Sequence, residues 1–167
     1  KYREHKVKID KFLLSKEDKR LIVVRPTTMY GDITQGGRQN PVGMIISSLS
    51  NKKSIKLVND LVVNILFVED LCEVLKKLLE LDFNGLINIG GKRSYSRFEL
   101  GLDVASILKL DQSLIQECSM SDFPSYSQRP LDTSFDISLQ KKLTNMEPKS
   151  IEYVLKNYDY KTFYEKK

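Results

Sequence analysis

The sequence predicts an α/β fold containing at least part of a parallel sheet. Segments with apolar residues at helical spacing alternate with short β-rich runs along the chain. One such run, Leu21-Ile22-Val23-Val24, is continuously apolar and rich in β-branched residues until Arg25-Pro26 ends it. That is the pattern of a strand covered on both faces, as in parallel sheets. At 167 residues, with 41% apolar and 29% charged, the chain can bury a sizeable core in one domain.

Each element has its own local signal. Residues 2 to about 15 read as a helix with Ile9, Phe12 and Leu13 on one apolar stripe. Residues 16–20 form a charged connector. Residues 27–41 form a long loop holding Gly31, Gly36 and Gly37, of a length usually reserved for function or motion. Asn40 can cap a helix whose first residue is Pro41, with Val42, Ile45, Ile46 and Leu49 as its apolar face. Residues 55–58 and 62–68 are expected strands, separated by a turn at Asn59-Asp60. Asp70 falls in the first turn of a helix to about residue 81, where Leu71, Val74, Leu75 and Leu78 recur at helical spacing. Asn84-Gly85 marks a turn, and residues 86–89 a short strand broken by Gly90-Gly91. Ser96 and Glu99 form a capping box that opens a helix to about Leu108. Residues 115–120 read as a strand and 121–132 as a Ser/Pro-rich loop. Asp136 is placed to cap a short helix through Leu143, and a last helix is expected from Pro148 to about Asn157. The polar, aromatic tail 158–167 fits either helix or disorder.

Composition narrows the function classes. No apolar run approaches the roughly 20 residues of a membrane helix, and no signal peptide is visible. The first residue is not methionine, so the chain reads as a fragment or a processed product. The net charge is +5, but the lysines are scattered, without an aromatic-interleaved basic stripe. Nucleic acid and membrane are therefore not expected partners. Cys72 falls in an expected helix and Cys118 in an expected strand. Two thiols fit a reducing cytoplasm and a packing role. With His5 as the one histidine, no metal site is expected.

Tyr2-Arg3-Glu4-His5-Lys6 carries the chemistry. A tyrosine and a lysine four residues apart lie one above the other on a helix. A nearby ammonium favours the phenolate and lowers the phenol pKa from about 10. Such a phenol can exchange a proton with a carbinol oxygen near neutral pH. The same spacing also occurs on plain solvated helices. Pro26, Thr27 and Thr28 lie just past the carboxyl end of an expected parallel strand, where open α/β sheets bind ligands or where the chain merely turns. Asn40 could serve a sugar or diphosphate oxygen as well as a cap. Arg129 could bind a diphosphate bidentately or pair with Asp132 or Asp136. Arg38, in the long loop, is a weaker phosphate candidate. Glu69 and Asp70 face different ways on a helix and read as N-terminal charge. Gly90-Gly91 lacks a third glycine for a phosphate loop.

Several ordered segments together resemble the C-terminal part of an extended short-chain dehydrogenase/reductase of the sugar-nucleotide type. Within it they look most like the dTDP-4-dehydrorhamnose reductase and NAD-dependent epimerase/dehydratase group. Tyr2-x-x-x-Lys6 is similar to its catalytic pair. Arg25-Pro26-Thr27-Thr28-Met29-Tyr30-Gly31 resembles its R-x-x-x-x-Y-G segment, and Asn40 its asparagine before a helix. Residues 62–70, ending Val68-Glu69-Asp70, resemble its V-x-D strand. Gly85-Leu86-Ile87-Asn88-Ile89-Gly90 resembles G-x-x-N-I-G. Arg129-Pro130-Leu131-Asp132 with Asp136 resembles R-P-x-D-x-x-x-D.

The resemblance implies the C-terminal portion of a Rossmann-like NAD(P)-binding fold plus the smaller substrate-binding region. Residues 1–35 would end the nucleotide-binding domain with its catalytic helix. Residues 36–167 would mix the substrate-binding region with returning Rossmann elements. It implies Tyr2 as general acid for hydride transfer to a 4-keto sugar, with Lys6 lowering its pKa. Tyr2, Lys6, Pro26, Thr27 and Thr28 would contact NAD or NADP, and Asn40 and Arg129 the nucleotide-sugar. The family's glycine fingerprint and its Ser/Thr upstream of the tyrosine are not in this sequence. The expected partners are therefore a missing N-terminal half of the same protein and a homodimer mate, in the cytoplasm. The piece alone is expected to be inactive. The alternatives are a nucleotide-sugar epimerase or dehydratase, and a reductase-like regulatory or binding subunit without turnover.

Overall fold

The structure, a computed structural model, describes residues 2–15, 21–32, 39–123 and 130–164. Along the chain run α1 (Tyr2–Leu14), β1 (Ile22–Pro26), β2 (Met29–Tyr30) and α2 (Pro41–Ser50). There follow β3 (Ile55–Val58), β4 (Val62–Asn64), β5 (Leu66–Phe67), α3 (Val68–Glu80), β6 (Gly85–Ile89) and β7 (Ser94–Ser96). The rest comprises α4 (Arg97–Leu108), β8 (Ile115–Cys118), α5 (Ser138–Thr144) and α6 (Ile151–Asn157), with short 3₁₀ turns between and after them.

The apolar run forms β1, which lies parallel to β6 in a register from Ile22 opposite Gly85 to Pro26 opposite Ile89. One face of this pair holds Ile22 and Val24 with Ile87 and Ile89, packed against Val74 and Leu78 of α3 and Leu143 of α5. Strand alternation turns Arg25 and Asn88, which share a register position, to the opposite face. There α1 packs on β1, tied by an ion pair between Asp10 and Arg25.

A larger core joins α2, α4, α6 and β4. Val42, Ile45 and Ile46 of α2, Leu100 and Val104 of α4, and Val154 of α6 are fully buried in it. β2 pairs in parallel with β5 and β3 with β8, while β4 runs antiparallel to β7. Expected caps are present. Asn40 Oδ1 accepts from the Gly43 amide at 2.8 Å. Ser96 and Glu99 satisfy each other's backbone amides at 3.0 and 2.8 Å, a complete capping box.

Other expectations are corrected. The strand over 62–68 breaks at Ile65, because β4 and β5 pair with different partners and α3 already begins at Val68. A strand not expected from the sequence, β7, follows Gly90-Gly91. Asp136 accepts from the Ser138 amide at 2.9 Å within a turn, and α5 starts without a side-chain cap. The last helix starts at Ile151, not near Pro148, since Ser150 caps it. The tail forms a 3₁₀ turn whose Phe163 is 1% exposed. Ile9 and Phe12, expected to be one apolar stripe, are 51% and 60% exposed. Cys72 is exposed rather than packed. The connector 16–20, Arg38 and Arg129 lie outside the described residues. Among the described residues, no helix is long and apolar enough to cross a membrane.

Candidate functional site

The site begins at the carboxyl ends of β1 and β6. α1 packs against β1. Asp10 is held at Arg25, near the strand's end. A helix rises about 1.5 Å per residue. Lys6 and Tyr2 therefore lie about 6 Å and 12 Å along α1 from Asp10, toward the helix N-terminus. Tyr2 and Lys6 are thus one helical turn apart, with Lys6 exposed.

Pro26 closes β1 and is exposed. The Thr27 amide extends the ladder by donating to Ile89 O at 2.9 Å, and Thr28 O accepts from the Leu66 amide at 2.9 Å. Their backbones are fixed between β6 and β5, and both residues stay partly exposed. On the α1 face, Asn88 Oδ1 is buried without a hydrogen-bond partner among the described residues. A buried acceptor in that state is costly unless something else meets it.

Asn40 is used structurally. Besides the cap, its Nδ2 donates to Gly31 O at 2.8 Å and to Phe163 O at 3.2 Å. Both amide hydrogens have protein partners, so the cap reading holds and no donor is left for a sugar oxygen. Gly90 and Gly91 also serve packing. The Gly90 amide donates to buried Gln140 Oε1 at 2.9 Å. A Cβ on Gly91 would stand 1.6 Å from Ile65 O. No phosphate cradle exists at this pair.

Behind the site, Asp70 is 2% exposed and accepts from both the Lys149 amide (2.8 Å) and the Lys149 ammonium (2.5 Å). Burial and the Asp70 charge push the neighbouring Tyr30 phenol well above its usual range. Pattern alone placed Asp70 at a helix terminus and gave no sign of its pairing with Lys149. Sequence also missed Arg97, whose Nη1 is buried and unpartnered among the described residues. Burial lowers its guanidinium pKa. A cavity of about 550 Å³ opens among Tyr30, Arg93, Tyr95, Asp103 and Lys149, and Pro26 to Thr28 are not among its lining residues. No group of side chains suited to a metal occurs among the described residues.

Solved structures share this arrangement. The dTDP-4-dehydrorhamnose reductase from Bacillus anthracis, in complex with NADP, matches over 82% of this chain at 21% identity and TM-score 0.70. The chain spans 47% of that protein's length. The dTDP-glucose 4,6-dehydratase of Bacillus anthracis, in complex with NAD, matches over 96% of this chain and 48% of its own, at 17% identity and TM-score 0.69. Pal from Bacillus thuringiensis matches over 90% and 49%, at 19% identity and TM-score 0.72. These likenesses establish the fold, an α/β arrangement shared with about half of each of those Rossmann-like chains. No curated protein matches the chain. The family model described as RmlD substrate binding domain matches residues 1–162, and the chain belongs to that family.

Proposed function

We propose that the chain is the back half of an NAD(P)-dependent sugar-nucleotide reductase acting on a 4-keto sugar. The observation that carries this reading is the placement of Tyr2-x-x-x-Lys6. The pair lies on α1, which the Asp10–Arg25 ion pair ties to β1, the parallel partner of β6. Ligands of open α/β sheets bind at the carboxyl ends of the strands.

The residues there fit one end of a nicotinamide dinucleotide. Lys6 offers an ammonium to a ribose hydroxyl, Asn88 an open acceptor, and Pro26 to Thr28 a rigid wall. The pyrophosphate end needs a glycine-lined helix N-terminus, and Gly90-Gly91 does not provide one. A preceding half of the protein supplies that part. Residues 1–35 then complete the nucleotide-binding domain. The return of β6 to pair with β1 supports counting part of 36–167 in it as well.

When bound, the nicotinamide supplies hydride. Tyr2 gives its phenolic proton to the sugar carbonyl oxygen as charge develops there, and that oxygen becomes a hydroxyl. Lys6 stabilises the phenolate, which regains a proton from solvent. Arg129 is assigned to the diphosphate, whereas Asn40 keeps to its cap. Free Cys72 and Cys118 suit a reducing cytoplasm.

Incubating the full-length parent with NADPH and a dTDP-4-keto sugar tests the reading. Net nicotinamide oxidation is expected, and Tyr2→Phe should lower kcat by roughly 10²–10⁴-fold. The dehydratase likeness over nearly the whole chain favours one second reading, an epimerase or dehydratase. Altered sugar without net oxidation would establish that instead. Binding without turnover would identify a non-catalytic subunit.

A further inference from the structure

The cavity between the β6–β7 turn, α4 and α6 belongs to no step above. Its volume of about 550 Å³ falls in the ordinary range for small-ligand sites, about 300–1,000 Å³. Neither Pro26, Thr27 and Thr28 nor Asn40 lines it. Its walls combine apolar surface from Ile65 and Ile107 with three cationic side chains, Lys92, Arg93 and Lys149.

Charge pairing around this wall leaves a surplus of donors. Asp103 takes Arg93 Nη1 at 3.1 Å, and Asp70 takes the Lys149 ammonium at 2.5 Å. Glu152 takes Lys156 at 2.5 Å. Lys156 lies outside the wall, and the charges of Glu69 and Glu73 also act on Lys149. Lys92 is exposed and has no partner among the described residues. Arg93 lies 4.6 Å above the Tyr95 ring, which fixes its plane. A guanidinium has five N–H donors and an ammonium three. Most of the hydrogens on Arg93, Lys149 and Lys92 therefore lack acceptors in the wall. The Arg93–Asp103 pair is exposed, and such pairs are worth at most about 1 kcal/mol. An incoming anion can share or replace that pairing at little cost.

A ligand that meets this surface brings one anionic group with several acceptor oxygens and a compact body. We infer that the cavity is a binding site for a small phosphate monoester, separate from the carboxyl end of β1. It does not depend on the reductase reading.

Titration calorimetry on the full chain with glucose 1-phosphate tests it, with inorganic phosphate and glucose as comparison probes. Saturable binding of glucose 1-phosphate is expected, weakened by added salt and by at least tenfold in Lys92→Ala/Arg93→Ala. Inorganic phosphate binding at the same place supports the site with the anionic group as the recognised part. Glucose binding as well as its phosphate would overturn the proposal, and so would no saturable binding of either phosphate at millimolar concentration. Amide shifts should move at Tyr95 and Ile107. Shifts confined to Thr27 and Thr28 would place binding elsewhere and overturn it. If the double variant unfolds, Lys92→Ala alone removes a partnerless surface charge. It should still weaken binding several-fold, and unchanged affinity would sink the idea.

Discussion

Asp70 looks like a helix N-terminal acid in sequence and is a buried anchor in the structure. The carboxylate side chain is 3% exposed and ties Lys149, and through it the approach to α6, to the start of α3. Asp70→Asn would leave the ammonium facing a neutral group. Breaking buried pairs costs about 3–5 kcal/mol. Because Lys149 keeps some exposure, the low end is expected in urea unfolding. Burial lowers the Lys149 pKa, but the hydrogen bond and charge of Asp70 outweigh it and leave the ammonium above its ordinary 10.5. Burial, with Asp70, likewise raises the Tyr30 phenol from 10.0. In both cases the folded state holds its proton more tightly than the unfolded chain does. That stability is complete below about pH 10 and lost as pH rises beyond it. Unfolding midpoints at pH 9 and 11 should show the loss, and Tyr30→Phe should flatten the slope. Equal slopes in both proteins would refute the assignment. That Tyr2 and Lys6 share a helix was legible because their spacing is a local property. Lys149 was not, because nothing near it in sequence names its partner.

At the scale of elements, caps and close approaches decide more than propensity does. Asn40 joins three pieces of chain: the start of α2, Gly31 and Phe163. Asn40→Ala removes a cap and two inter-element bonds. Destabilisation of about 2–3 kcal/mol is expected, beyond the roughly 1 kcal/mol of a cap alone. Gly43 lies on the same contact, where an added Cβ would stand 2.0 Å from Phe163 O. Gly43→Ala should therefore force α2 away from the C-terminal turn and cost about 1–3 kcal/mol or more, despite alanine's better helix propensity. A more stable variant would show that the turn yields freely. The helices over 41–50 and 97–108 were readable from Asn40-Pro41 and from Ser96 with Glu99, since caps act within one turn. β7 and the break at Ile65 were not readable, because each depends on which strand lies alongside.

Across the whole molecule, apolar side chains of α1 remain exposed. Val7, Ile9 and Phe12 of α1 are 47%, 51% and 60% exposed. Among the described residues, β1 pairs with β6 alone. Parallel sheets are normally covered on both faces. On the function proposed above, a nucleotide-binding half lies against this face and edge. Val7→Lys/Ile9→Lys should then change the stability of the chain itself by no more than about 0.5 kcal/mol per site, as exposed substitutions do. The same pair should abolish co-purification with a nucleotide-binding half supplied in trans. Retained association would place that half elsewhere. Loss of folding in the isolated variant would show that the stripe is already used.

Sequence alone determined the α/β class, most helix boundaries, the Tyr2–Lys6 spacing and the β-branched strand, all of which are local patterns of burial and capping. Tertiary structure alone decided that β1 returns to β6, that Asn40 is consumed by carbonyls, that Asp70 anchors Lys149, and that a donor-rich cavity opens beside α4. These depend on segments distant in the chain meeting in space, and periodicity records only that a face is buried, never what buries it.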